Sequence, residues 1–449
     1  MSNQGSDRPT TPIPAFILSD KDESMRFVSK GKMPTLSGEA MGKLQKGIDV
    51  LKSKVGDTHQ DVAIAIDAVA RAHCDNGDFD SALRYYNDAL EMKKKTLPQH
   101  HPSIADTLRS VGDVSQKIGM IKESEASYKA AHAIYRSAFD DRSWVSDTSS
   151  DDAKNRTDFD LHQMIATTLV HIGTIEYQRK NYDKAMNFYK EAQKEAKMSA
   201  IDAVVLDRHN TQKGIDSLIT ETRIFISVIM NNIANVYAQL NDNQKSIQTY
   251  NSALNLQMQE VGEDHLCVSY TLHNMGTMHY QSGELQLSLK CYKQVLKMRR
   301  LLLGSEHPSV ADALMNIAIV HEKAGELDRA ESALNATLRV IAKNFGRFDR
   351  RVGFVQDCLG ALHARNGFHL DALDCFSKAL KIYEKSSLDK HHPLVMSTNK
   401  SIEYVRNLDK EDVKSEEIYD FMGSFLTCGG VCFNNDSTTK DMKPAPVLV

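Results

Sequence analysis

Three asparagines, Asn232, Asn274 and Asn316, stand 42 residues apart, and His171 precedes the first of them by 61. A carboxamide carries both donor and acceptor, so a row of them can pair with the main chain of an extended peptide whatever its side chains. Asparagine is a poor helix former, so propensity does not explain its recurrence inside helical patterns. Asn231, Asn235, Gln239, Tyr280 and Gln281 add polar and aromatic surface beside the row, and Arg109, Lys117, Lys323 and Arg365 supply cations for acidic side chains. This chemistry suits holding a peptide rather than converting it.

Patterns that convert substrates are missing. The sequence has no Gly-rich phosphate loop ending in Lys and Ser/Thr, no HExxH and no nucleophile elbow, so neither catalysis nor a cofactor is expected. His73, His279, His321 and His363 share a second register. Equivalent positions on stacked helices are separated by packing distances of about 8–10 Å each, whereas one zinc needs ligands at about 2 Å. The four are therefore expected to pack at helix interfaces, and no metal is expected. Cys428 and Cys432 are three residues apart with no matching second pair, which does not support a zinc knuckle. The basic runs EMKKKT and KMRR close helical patterns and are expected to be solvated ends favoured by the helix dipole.

The positioning elements follow from a period. Gly77 and Gly119, then Gly283, Gly325 and Gly367, recur every 42 residues, each between two apolar helical patterns. Before each turn comes a small residue at a fixed place: Ala70, Gly112, Gly173, Ala234, Gly276, Ala318 and Gly360. After the turn an aromatic follows a small residue by four, at Tyr86, Tyr128, Tyr189, Tyr250, Tyr292 and Phe376, which puts both on one helical face. Seven helix pairs result, near 60–98, 101–138, 161–198, 222–261, 265–303, 307–345 and 350–388. Each pair leaves an apolar face that stacking buries. A lone helix from 38 and another over 393–408 are expected as caps, and 1–37 and 409–449 as largely disordered tails.

Composition agrees with an all-α reading. The chain has only 10 Pro and one Trp, and 55 basic against 59 acidic residues leave a net charge of -4, without a nucleic-acid footprint. Seven scattered cysteines in a chain of 449 residues indicate reduced thiols and a cytoplasmic location. No stretch approaches the roughly 20 apolar residues of a membrane span. Oligomeric state is not legible.

The segments VGEDHLCVSYTLHNMG and LGSEHPSVADALMNIA, with QHHPSIADTLRSVG and KHHPLVMSTNKSI as weaker copies, resemble the 42-residue tetratricopeptide repeats of kinesin light chains over residues 38–408. The resemblance implies a right-handed α-solenoid superhelix of about seven pairs with capping helices. It implies that the first helix of each pair lines a concave groove, with Asn232, Asn274, Asn316 and His171 at one groove-facing place. It further implies an adaptor or scaffold that binds peptide or helical segments of partner proteins. A kinesin heavy chain is the special partner the family suggests. The coiled-coil region that kinesin light chains carry ahead of their repeats is not matched, because some 37 residues cannot supply it, so the fold and the groove transfer rather than the motor. A regulatory sensor arm of a signalling complex is the alternative reading.

Two insertions of 19 residues break the period, near 139–160 and 199–220. The first, acidic and Ser-rich, is expected to be a mobile loop; the second, richer in Val, Leu and Ile, to extend its flanking helices. Trp144 lies in the first, within DDRSWVSD. Two readings stand for it: packing over neighbouring helices, which is simpler, or occupying the groove as a removable inhibitor. Thr148 and Ser149, each with an acid three residues on, fit acidophilic kinases as a regulatory loop.

Overall fold

The computed structural model describes residues 38–141, 151–207 and 215–408. Among these residues it is all-helical. The helices, in chain order, are α1 (Gly38–Val55), α2 (Gln60–Asp75), α3 (Phe79–Thr96), α4 (Pro102–Lys117), α5 (Ile121–Asp140), α6 (Asp151–Gln178), α7 (Tyr182–Asp207) and α8 (Ile215–Gln239). They continue as α9 (Asn243–Val261), α10 (Leu266–Gln281), α11 (Leu285–Leu303), α12 (Pro308–Lys323), α13 (Leu327–Phe345), α14 (Arg350–Arg365), α15 (His369–Lys385) and α16 (Pro393–Leu408). Within each unit consecutive helices pack as antiparallel pairs, and one pair packs on the next. Two compact units meet in sequence at Val236 and Tyr237, and each is a stack of this kind.

Five of the first helices, α2, α4, α10, α12 and α14, begin in the same way. His101 and His307 are N-caps whose Nδ1 accepts from the backbone N–H of Ser103 and Ser309 at 3.2 Å, with Pro102 and Pro308 at the first helical position. His59, His265 and His392 cap in the same manner, and Asp349 takes the role in α14. Accepting at Nδ1 requires the neutral ring, and burial lowers the pKa of His101, His265, His307 and His392 accordingly.

The turn between paired helices is equally regular. After α10, Gly283 adopts φ 80°, and the N–H of Glu284 returns to the carbonyl of His279 at 2.8 Å, closing the helix as a Schellman motif does. The same bond closes α6, where Asn181 donates to Glu176 at 2.9 Å, yet Lys180 holds the left-handed place with φ 63°. Asn241 does so after α8, with φ 60°. The glycine series therefore skips two turns that the backbone does not.

Inside each pair the small residue and the aromatic meet. A Cβ built on Gly112, Gly173, Gly276 or Gly360 would lie 2.7–2.9 Å from a ring carbon of Tyr128, Tyr189, Tyr292 or Phe376. The four rings are buried. The first helix thus approaches its partner to the limit that only glycine permits.

The insertions take a different form from the loop expected across 139–160. Helix is continuous to Asp140 and resumes at Asp151, so the third pair starts ten residues early. Its α6 is 28 residues long and α7 is 26, against 16 for α4 and 20 for α5. Phe159 and Ala203 form a small core with Leu218 and Ile219 of α8. The physical reason is that Phe159 and Leu161 give the inserted segment a buried apolar side despite its acidic start. Trp144, Thr148 and Ser149 fall outside the described residues.

A non-glycine residue in the left-handed region costs about 1–2 kcal/mol, less for Asn. Lys180→Gly is therefore expected to raise stability by about 0.5–1 kcal/mol after glycine's extra unfolded-state entropy, and Asn241→Gly by less. Urea unfolding of the two variants checks the order, and a loss of stability in Lys180→Gly would contradict the turn assignment.

Candidate functional site

The residues that the sequence singles out lie on the first helices of the pairs, and each unit distributes them differently. In the unit ending at Val236, Arg109 on α4 is half-buried, 3.6 Å from Asp113. Asp113 accepts a 2.6 Å bond from the Tyr128 hydroxyl, and its Oδ1 stands 3.8 Å from His171 Nε2. His171 is buried and stacks on Tyr128 at 4.6 Å. Burial, then the neighbouring Asp113, pushes the Tyr128 hydroxyl well above its ordinary pKa, so it serves as a donor. Asn231, Asn232 and Asn235, all on α8, are buried and engaged in contacts of their own.

In the unit from Tyr237, Asn274 is buried, while Gln239, Tyr280, Gln281 and Asn316 are half-buried and Lys323 is exposed. The expected row of accessible asparagines is corrected on this point: Asn232 and Asn274 face packed neighbours, and Asn316 alone of the three keeps some surface. His171 departs from the groove in the same sense.

One group remains at the surface as a unit. Lys323 Nζ lies 4.3 Å from the centre of the Tyr280 ring and donates to the Tyr280 carbonyl at 3.4 Å. Gln281 follows Tyr280 at the end of α10. The same reach, from the end of one first helix back to the one before, recurs where Lys117 approaches Cys74 Sγ at 3.9 Å and where Arg365 pairs with Glu322. Lys117 and Arg365 are thus engaged within the stack.

The histidines sharing a register do more than pack. His73 Nδ1 pairs with Asp78 at 2.9 Å, His279 with Glu284 at 2.5 Å and His321 with Glu326 at 2.6 Å, each bridging the turn to the carboxylate five residues on. His363 meets Phe368 instead, edge to face. The acid five residues after each of the first three histidines was the readable signal. Among the described residues no group of His, Cys, Asp and Glu is arranged to hold a metal ion, and five cysteines are free thiols.

Sequence reasoning missed a set of buried polar contacts between helices. Lys93 of EMKKKT is buried and bonds Asp67, Thr107 Oγ1 at 2.8 Å and the Ser103 carbonyl at 3.2 Å. Arg299 of KMRR is buried and donates to the Ser309 carbonyl at 2.7 Å. The basic runs are therefore corrected from solvated ends to ends that each insert one cation between helices. At the same place Gln257 accepts from Thr271 at 2.7 Å, Tyr135 donates to Asp106 at 2.6 Å, and Tyr383 donates to Asp357 at 2.6 Å. Burial with Arg299 nearby lowers the pKa of His273 to about 3, which keeps the ring neutral.

Asp357 also accepts from Thr398 at 2.8 Å, so one carboxylate joins α14, α15 and α16. Burial pushes its pKa up to about 7, against the two donated hydrogen bonds. Since the folded value lies above the unfolded one near 3.8, the folded state binds the proton more tightly, and stability falls as pH rises from about 4 to 7. Asp357→Asn is expected to raise stability at pH 8 by about 1–3 kcal/mol and to give no gain at pH 4. Denaturant unfolding at the two pH values checks this; equal effects at both would contradict an ionisation buried at Asp357.

Among the described residues no helix is long and apolar enough to cross a membrane. The family model for the tetratricopeptide repeat matches residues 61–137, 225–301 and 270–343. No curated protein matches the chain. Among solved structures, BtubC (BKLC) from P. vanneervenii is 17% identical, covering 59% of this chain and 91% of its own, with a TM-score of 0.39. A putative kinesin light chain from Podospora anserina with nearly identical TPR-like repeats is 17% identical over 44% of this chain and 92% of its own, with a TM-score of 0.37. The apo quorum sensor NprR from B. thuringiensis is 14% identical over 82% of this chain and 97% of its own, with a TM-score of 0.45. The period, the paired helices and the family match agree over residues 61–137 and 225–343, where the chain is similar to tetratricopeptide repeats.

Proposed function

We propose that the chain is an adaptor or scaffold that holds peptide segments of partner proteins against its first helices. The surface offered for this is the Lys323–Tyr280 pair with Gln281 and Asn316, in the unit from Tyr237. The observation that carries the reading is the exposed ammonium seated 4.3 Å over a half-buried ring. Such a pair meets an acidic side chain with its charge and an apolar one with its ring, while the carboxamides pair with a peptide backbone. Tetratricopeptide proteins are in general protein-interaction scaffolds, which supports the class. Arg109, Asn231, Asn232, Asn235 and His171 belong to the other unit and Asn274 is buried, so none of them is assigned to this surface. The binding reading calls for neither catalysis nor a cofactor.

Affinity capture from the native cell, repeated with Lys323→Glu and with Tyr280→Ala, tests the surface. Partners bound there are expected to be lost together, with affinity for a recovered acidic segment falling about tenfold, or ~1.4 kcal/mol. Lys378→Glu, on the exposed side of α15, serves as the control and retains them. Retention of all partners by the Lys323 and Tyr280 variants would sink the assignment. A kinesin heavy chain is the finer proposal that the resemblance supplies, and failure of the purified components to associate removes it.

A further inference from the structure

The helix α7 is apolar on two opposite sides. Ala192, Ala196, Ser199 and Ala203 face inward, the last of them in the core shared with Phe159, Leu218 and Ile219. At about 100° per residue, Met198, Ile201, Val204 and Val205 fall on the reverse side. They are 40%, 56%, 39% and 36% exposed. A helix that is apolar all round is ordinarily covered all round, and scattered single apolar residues would need no such account. These four are contiguous, at spacings of three and four.

The polar half of the same face is mainly basic. Lys190, Lys194 and Lys197 continue the stripe toward the start of α7, all exposed and none of them ion-paired among the described residues, with Asp183 in the first turn as the acid at its far end. Glu191 and Glu195 turn to Arg136, at 3.0 and 2.7 Å, and Glu195 and Asp202 flank His162. The apolar part lies in the 19-residue lengthening that the 42-residue repeats lack, so stacking of repeats does not call for it.

From this juxtaposition we infer that the outer face of α7 is a docking site for an amphipathic helix of a partner protein, acidic along one half and apolar along the other. Carboxylates spaced by four and three meet the three lysines, and the apolar half covers Met198, Ile201, Val204 and Val205. Charge complementarity sets the direction of the bound helix, and the apolar contact supplies most of its affinity. This site is separate from the first-helix surface at Lys323 and does not rest on it.

The test uses the full chain and two synthetic amphipathic helices, one with Glu in its polar half and apolar Leu in the other, the second with Lys replacing Glu, followed by fluorescence anisotropy. The acidic peptide is expected to bind at least about tenfold more tightly than the basic one. Ile201→Asp with Val205→Asp, and separately Lys194→Glu, are each expected to weaken it about tenfold while helicity and unfolding midpoint stay unchanged. Lys323→Glu leaves this binding intact. Equal binding of both peptides, or indifference to the α7 variants, overturns the proposal. So does binding to phosphatidylserine vesicles in place of the peptide, which would make the face a membrane contact, or an α7-dependent dimer that excludes the peptide.

Discussion

A tyrosine or phenylalanine ring lying against a glycine Cα is the contact on which the repeat depends. In the pairs built on Gly112, Gly173, Gly276 and Gly360 there is no room for a methyl group between ring and backbone. The ring fixes the separation of the two helices, and the hydroxyl, where present, fixes the rotation: Tyr189 reaches Thr174 at 3.0 Å and Tyr292 reaches Thr277 at 2.8 Å. Burial of an aromatic ring is among the largest single apolar contributions available to so thin a layer. Two other pairs use other volumes. Ala70 lies in one core with Tyr86, where ring and methyl are held together, and Ala318 lies in one core with Leu334, where the ring is replaced.

With the pair spacing fixed, specificity between helices falls to the buried polar contacts. Lys93, Tyr135, Gln257, Arg299 and Tyr383 occupy one repeat position, and each carries a polar group far enough from its backbone to reach a neighbouring helix. Apart from the two tyrosines, each donating to an aspartate, residue and partner change from repeat to repeat, so most slipped or exchanged repeats would leave a buried polar group unmatched, at a cost of about 1–3 kcal/mol each. The array is thus repetitive in its apolar contacts and individual in its polar ones. The two proposed binding surfaces, at Lys323 and along the outer side of α7, use side chains that this matching does not need.

What could be read from the sequence was what repeats with one residue type. Glycines at turns, small residues and rings four after a small residue are legible because geometry admits few alternatives at those places. Lys180 and Asn241 hid two turns, since the left-handed backbone was there without its usual residue. The buried staples were illegible for the opposite reason: the five of them at one place are of four residue types, with partners in other helices. The asparagines at 232, 274 and 316 were legible as a row and ambiguous in meaning, because a carboxamide packed between helices and one facing a ligand leave the same mark in a sequence. The acidic start of the first insertion suggested a loop, and Phe159 near its end, with Leu161 just after it, was the evidence for helix.

The central claim, that ring and glycine act as one unit, is tested most directly by a double-mutant cycle on Gly276 and Tyr292, followed by equilibrium unfolding. Gly276→Ala overfills the contact and should cost about 1–3 kcal/mol. Tyr292→Leu, the combination with alanine that the sixth pair uses, should then make room, so that the double variant is at least about 1 kcal/mol more stable than the two single losses predict together. Losses that add to within about 0.3–0.5 kcal/mol would show that the ring does not rest on Gly276, and would contradict the account.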